Sequence, residues 1–451
     1  MSSPVESRRG MPLHTKILLG LALGAVAGVV ANWLWAGDPR LEWVVKNVAQ
    51  PVGQIFLRML FMVVVPLIFT SLALGVASLG DLKRVGRIGA KTIGFFLVTT
   101  GFAAAIGLTM VNVVRPGDAL DAGIRDQLMA EYSTDAAGRA ALAEEGGFGI
   151  NTFVSIIPRN PIEAMAEGQM LSVIFFTLIF GIALTQIRRD QAEPVLRVLE
   201  GISEAVMVII GFAMKFAPYG VAGLIFAVTA TFGPEVLKSL GLYVLMVLGG
   251  LAIHQFAVIP TLAKLLAGIG PVTFFRRARA LMITAFSTSS SNATLPTTIR
   301  TAQENFGVPP AVAGFVLPLG ATMNMNGTAL FEGMTVLFLA QVFGVDLTWA
   351  QQLLVIGMSV ITAVGAAGVP GGSIPLLVLV LEMVGVPGMA IALILGVDRI
   401  LDMSRTVPNV TGDLLTSLVV TRSEGLPFII PDVPLSGSGE PVPAAGEGAV
   451  A

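Results

Sequence analysis

Apolar runs recur along nearly the whole chain, and several exceed the roughly 20 residues that a helix needs to cross the hydrocarbon core of a bilayer. The first, "ILLGLALGAVAGVVANWLW", is too long for a signal-peptide core and lacks a clear cleavage site, so it predicts a retained membrane helix. In the second half of the chain the pattern changes. Two apolar stretches are interrupted by small and polar residues, at "STSSSNATLP" (287–296) and "GAAGVPGGSIP" (365–375). Backbone at membrane depth must satisfy its own hydrogen bonds, so such breaks survive only inside protein or beside a watery cavity. Each therefore predicts a re-entrant hairpin tip. A polar-marked helix follows each at the same interval: 28 residues separate Pro296 from Asn324, and 28 separate Pro370 from Asp398. Paired interruptions of this kind point to a transporter site near the midplane, built from repeats. The plainer reading is that small residues permit close helix packing.

The second polar-marked helix carries "DRILDMSRTVPNVTGD", five charged side chains in sixteen positions between two apolar runs. At about 100° per residue, Asp398, Asp402, Arg405, Asn409 and Asp413 fall within an arc of roughly 80°. Ionisable residues on a membrane helix are costly and face a bundle interior or water, where they mark ion or substrate paths. The planar fork of Arg405 suits a carboxylate, unless an internal pair with Asp398 or Asp402 engages it. Asp402 offers an acceptor for an ammonium group. Asp413 and Asn409 are hard oxygen ligands for a small cation. Pro408 lacks an amide and crowds the carbonyl of Ser404, so the helix is expected to loosen there and free carbonyls for a cation.

Composition agrees with a polytopic membrane protein: 54% hydrophobic residues, 12% charged and a mean hydropathy of +0.83. The net charge of −2 suggests no nucleic-acid partner, and the absence of cysteine excludes disulfides and thiolate chemistry. Basic residues set an orientation. Arg8, Arg9 and Lys16, then "DLKRVGRIGAK", "QIRRD" and "FFRRARA", are expected on the cytoplasmic side, with both termini. The polar stretch at 114–150, with its acidic excess, is expected outside, and the tail from 436 to 451 is expected to be a disordered cytoplasmic segment. His14 and His254 have no ligand partners nearby in sequence and read as interfacial or packing residues. The Met and Phe of "LRMLFMVVVPLIF" read as apolar surface.

The segments "SSSNATLP", "PLGATMNMNGTALFEG", "AAGVPGGSIP" and "DRILDMSRTVPNVTGD", in this order, resemble the dicarboxylate/amino acid:cation symporters, which include glutamate and aspartate transporters. The resemblance implies an all-α fold in one membrane domain, with about eight transmembrane helices, two re-entrant helical hairpins and inverted repeats. It implies a homotrimer in the cell inner membrane, surrounded by lipid. A scaffold near 13–80 and 114–222 would hold a transport domain near 81–113 and 223–425 that moves as an elevator.

Carried over residue by residue, the resemblance puts the substrate on Ser290, Ser291, Thr328, Val369, Ser373, Asp402, Arg405, Thr406 and Asn409. In such proteins the arginine at 405 grips the side-chain carboxylate and the acid at 402 takes the amino group. Having both implies L-aspartate or L-glutamate. One sodium site would use Asp413 with Gly320, Asn324 and Asn409, and a second Thr322, Ala363, Val364 and Ala366. A third would use Thr99, Thr100, Asn324 and position 326, where Asn326 replaces an aspartate, a loss of charge that should weaken that site. Glu332 matches a proton carrier.

Arg399 departs from aspartate-transporting relatives, which place the partner arginine of Asp402 where Ser289 or Met403 stands here. It favours the rival substrate class, the C4-dicarboxylates succinate, malate and fumarate, with proton or sodium coupling; Asp402 argues against that class. An intramembrane aspartyl protease needs two aspartates on separate helices, whereas these share one. An anion channel suits Arg405 but leaves the acids unexplained. The expectation is a carrier with no covalent chemistry.

Overall fold

The computed structural model describes residues 11, 13–120, 157–167, 169–366, 368 and 370–426. Val369, the polar stretch beyond 120 and the tail from 436 lie outside them. The described residues are mainly helical, with no strand. The helices of ten residues or more are α1 (Leu13–Trp35), α2 (Gln50–Phe61), α3 (Val64–Val85), α4 (Arg87–Val114), α5 (Met170–Gln186), α6 (Arg189–Phe232) and α7 (Glu235–Ile253). They continue as α8 (Pro271–Thr288), α9 (Ser291–Arg300), α10 (Pro310–Met323), α11 (Asn326–Val342), α12 (Trp349–Gly365), α13 (Ile374–Met383) and α14 (Ala392–Ser423).

Among the described residues, four helical runs are long and apolar enough to cross a membrane: Thr15–Trp35, Pro39–Leu74, Arg87–Asp118 and Glu235–Ala267. Three shorter apolar helices, Ser172–Gln186, Trp349–Gly365 and Ile374–Met383, accompany them. Trp33, Trp35, Trp43 and Trp349 are all exposed, as befits side chains that anchor at a membrane interface.

Helix α1 packs along α6, and α2 also packs on α6, while α3 packs on α5. Lipid offers no hydrophobic drive for such pairing, so backbone proximity supplies it. Gly20, Gly24 and Gly28, spaced one turn apart on α1, abut the backbone of α6 at Pro218, Ala222 and Phe226, where a Cβ would collide. The other half is built around α14, which touches α8, α10, α11, α7 and α4. Phe96, Phe274, Leu281, Val316, Leu317, Leu414 and Leu418 form an apolar core joining α4, α8, α10 and α14. The expected domain boundary at 222/223 falls inside α6, which runs unbroken to Phe232.

Both predicted interruptions end helices. Helix α8 stops at Ser289, a non-glycine residue in the left-handed region at φ 51°, and Ser290 caps α9 by accepting from the Ala293 amide at 3.1 Å. Helix α12 stops at Gly365, and the chain re-enters a helix at Ile374 after Gly371 at φ 75°. A third break, Asn324–Met325, separates α10 from α11. Helix α14 runs on through Pro408, where proline supplies no amide to the Ser404 carbonyl. The Pro408 ring and the Arg405 carbonyl lie in space that a side chain at 327 would need, and Gly327 leaves it free, so α11 packs closely on this turn.

Candidate functional site

Asp398, Asp402, Arg405, Thr406, Asn409 and Asp413 are all buried along one side of α14. Buried charges must be paired, and Asp398, Asp402 and Arg405 pair with one another. Arg405 Nη1 donates to Asp398 Oδ1 at 3.1 Å, while its Nε and Nη2 both donate to Asp402 Oδ1, at 3.1 and 2.7 Å. Its guanidinium rests on the Phe331 ring, 4.2 Å from the centroid. The second oxygen of Asp402 accepts from the Gly371 amide at 3.2 Å and from Arg399 Nη1 at 3.5 Å. Two arginines and two aspartates thus make a neutral buried cluster. The internal pairing weighed for Arg405 is what this state contains, with both acids involved.

The cluster borders a cavity of about 20 Å³. That is room for about one water, far less than an amino acid. Of the expected substrate residues, Ser291, Thr328, Ser373, Asp402, Arg405, Thr406 and Asn409 line it. Ser290 does not. Its hydroxyl donates to the Gly368 carbonyl at 2.5 Å, and the Asn292 amide donates to the same oxygen at 3.1 Å, so the two interrupted segments touch tip to tip. Ser289, Met325 and Gly368 line the cavity as well, and none was singled out as a binding residue from sequence. Ser289 stood in the serine run that marked the break, which was the available signal. The Ser289 and Ser373 hydroxyls are buried without a hydrogen-bond partner.

Beneath the cavity, α10 and α11 meet end to end at the Asn324–Met325 break. A helix C-terminus presents carbonyls and negative potential, an N-terminus amides and positive potential. Asn409 caps α11 from across the interface, its Oδ1 accepting from the amides of Gly327 at 2.7 Å and Thr328 at 3.4 Å. Its Nδ2 donates to Thr328 Oγ1 at 3.2 Å. At the α10 end, Asp413 Oδ1 accepts from Asn324 Nδ2 at 2.9 Å, and Gly320 lies so near that a Cβ there would sit 2.5 Å from the same oxygen. The structure therefore gathers Gly320, Asn324, Asn409 and Asp413.

Ala363 and Val364 lie in the last turn of α12 and Ala366 just beyond it, where carbonyls lack helical partners; Thr322 is exposed at the end of α10. The third set also converges. Asn326 Oδ1 accepts from Thr100 Oγ1 at 2.8 Å and from Thr99 Oγ1 at 3.4 Å, and the nearby Asn324 Oδ1 is buried without a partner. Glu332 is fully buried, with one oxygen 2.6 Å from the Thr362 hydroxyl and the other unpartnered.

A model of the sodium:dicarboxylate symporter family matches residues 13–423. The chain is 36% identical over 417 residues to the proton/sodium-glutamate symport protein of Geobacillus stearothermophilus, covering 92% of this chain and 96% of that one. It is 35% identical over 413 residues to the proton/glutamate-aspartate symporter of Escherichia coli K12, covering 91% and 93%. It is 32% identical over 419 residues to the C4-dicarboxylate transport protein of Bacillus subtilis strain 168, covering 92% and 95%.

Proposed function

The chain belongs to the sodium:dicarboxylate symporter family, and from that premise we propose that it is a secondary active symporter for L-aspartate or L-glutamate, coupled to sodium ions and a proton. The observation that carries this reading is Arg405 and Asp402 side by side on one cavity, each holding the other. A substrate carboxylate takes the guanidinium fork, and the Asp402 released from it takes the substrate ammonium. The exchange gives Arg405 and Asp402 new partners as they part, which lowers its barrier, and leaves the charge of the substrate's other carboxylate to be balanced.

An acidic amino acid brings a net charge of −1 into a cluster that is already neutral. A cation entering with it restores the balance, and the oxygens around Asp413, Asn324 and Asn326 are where it would sit. Proton coupling is supported at Glu332. The Thr362 hydroxyl lies 2.8 Å from the Met358 carbonyl oxygen and 2.6 Å from Glu332 Oε2. One hydroxyl hydrogen cannot serve both acceptors fully, whereas a hydrogen on the Glu332 carboxyl completes the second bond.

The segments 271–300 and 349–383 then act as re-entrant hairpins whose tips, touching at Ser290 and Gly368, part to admit substrate. Residues 81–113 and 223–425 move as the transport body against a scaffold of 13–80 and 114–222. Three copies assemble in the cell inner membrane with termini in the cytoplasm. The second reading is a C4-dicarboxylate carrier, favoured by Arg399 at Asp402. Uptake into proteoliposomes of aspartate, glutamate and succinate, under separately imposed sodium and proton gradients, separates the two. Saturable aspartate or glutamate uptake driven by sodium is expected; succinate alone being taken up overturns the first reading.

A further inference from the structure

We propose that the trough between α4, α14 and the segment 258–266 binds an anionic phospholipid, and that its occupancy adjusts the cation site at Thr99. The trough holds about 860 Å³ and is lined almost wholly by apolar groups, among them Phe95, Val98, Phe102, Leu262 and Val419. Its floor is opened by Gly94, where a Cβ would meet nothing within 4 Å. From Lys91 to Ala105 along α4 it spans about 21 Å. One leaflet contributes about half of a hydrocarbon core roughly 30 Å thick, so an acyl chain fits lengthwise.

Charge selects the occupant. At the mouth, Arg87 donates Nε and Nη2 to Glu424, and Lys91 Nζ donates to Glu424 Oε1 at 2.6 Å and to Ser423 at 2.9 Å. Two cations against one carboxylate leave a unit of positive charge where an acyl chain in the trough would present its headgroup. A basic residue near a membrane surface favours an anionic lipid by about fivefold. At the far end the trough reaches Thr99, whose hydroxyl approaches Asn326 Oδ1 at 3.4 Å. A chain packed there restricts the motion of α4 that would move this hydroxyl.

Lipid binding does not depend on the symport reading; the adjustment of the cation site does, and the two are measured apart. The full chain, delipidated in detergent, is given phosphatidylglycerol or phosphatidylcholine, and retained lipid is counted by native mass spectrometry. Phosphatidylglycerol should be retained about fivefold over phosphatidylcholine. Gly94→Leu, which fills the trough while improving helix propensity, and Lys91→Gln should each remove the preference, and Glu424→Gln should raise it. Equal retention of the two lipids, or a preference untouched by Gly94→Leu, overturns the site and leaves only an unselective lipid annulus. In vesicles, adding phosphatidylglycerol should shift the sodium concentration for half-maximal uptake in the parent chain and not in Gly94→Leu. An identical shift in both overturns the link to Thr99 while sparing the symport reading.

Discussion

Helices α1 and α14 both pack against α6 through close apolar contact, and they differ in what else holds them. From Ile17 to Trp35, α1 carries no charge and joins its neighbour by bringing Gly20, Gly24 and Gly28 against the α6 backbone. Helix α14 carries Asp398, Asp402, Arg405 and Asp413 into the interior: Asp398, Asp402 and Arg405 pair within the helix, while Asp402, Asn409 and Asp413 bond to Gly371, Gly327 and Asn324 of other segments. The difference is one of exchangeability. Van der Waals fit between backbones has no substitute partner, so it fixes geometry. A hydrogen bond between Arg405 and Asp402 can be traded for bonds to a ligand with the same groups at little net loss. The first helix suits a fixed support, and the second a site that must let go.

The sharpest way to break the contrast is at Arg405. Arg405→Lys keeps the charge but loses the fork that spans Asp398 and Asp402, and glutamate or aspartate uptake is expected to fall about a hundredfold. Initial uptake rates against substrate concentration measure it; an unchanged apparent affinity would mean that the pairing is structural alone. Asp402→Ser should be nearly as damaging for amino acids, about 2 kcal/mol in apparent affinity, because the ammonium loses its acceptor. It also frees Arg399 and Arg405 together, so succinate should compete better against residual uptake than it does in the parent chain. If aspartate uptake by that variant is undiminished, Asp402 is not the ammonium site.

Gly24→Leu tests the other side of the comparison. A side chain there collides with the Ala222 carbonyl, and overpacking of this kind costs about 1–3 kcal/mol. Thermal melting in detergent should drop while the ratio of aspartate to succinate uptake in the surviving protein stays as in the parent. A changed ratio would show that α1 takes part in recognition.

How much of this could be read from the residues follows the same division. The breaks at 287–296 and 365–375 were legible because polar and small residues interrupt an apolar run. The stripe on α14 was legible because its spacing is local. Its self-pairing was in reach too, since Arg405 lies within two helical turns of both acids. The distant groupings of Asp413 with Asn324 and of Asn326 with Thr99 and Thr100 came only through the family resemblance, and other distant contacts escaped: Asn409 capping α11, Ser290 reaching Gly368, and Gly327 lying against the Pro408 ring. The glycine ladder of α1 was visible as spacing, but nothing in the sequence says which backbone it faces.

Within the polar half, Asn326→Asp sharpens the picture further. The carboxylate would replace a neutral oxygen between Thr99 and Thr100. A cation bound by formal charge is held more tightly, so half-maximal sodium should fall about tenfold, with a steeper dependence of uptake on sodium. Sodium titration of uptake at fixed aspartate decides it; an unchanged midpoint and slope would place the sodium ions elsewhere.

The smallest effect is expected where the two halves of the contrast meet water, at the end of α14. Glu424 accepts from Arg87 at 2.7 Å and from Lys91 at 2.6 Å, and these cations hold its carboxyl down from 4.5 to about 2. A carboxylate whose folded value is depressed contributes stability above its unfolded value and loses it as pH falls through the folded one. The link between α4 and α14 should therefore be constant from neutral pH down to about 4.5 and fade as pH approaches 2. Glu424→Gln should melt slightly below the parent chain at neutral pH, with the gap closing in acid and narrowing in high salt, as for any exposed pair. A gap that persists unchanged at pH 2 would mean that Glu424 acts through packing, and the α14 end would then belong with α1 rather than with the exchangeable cluster.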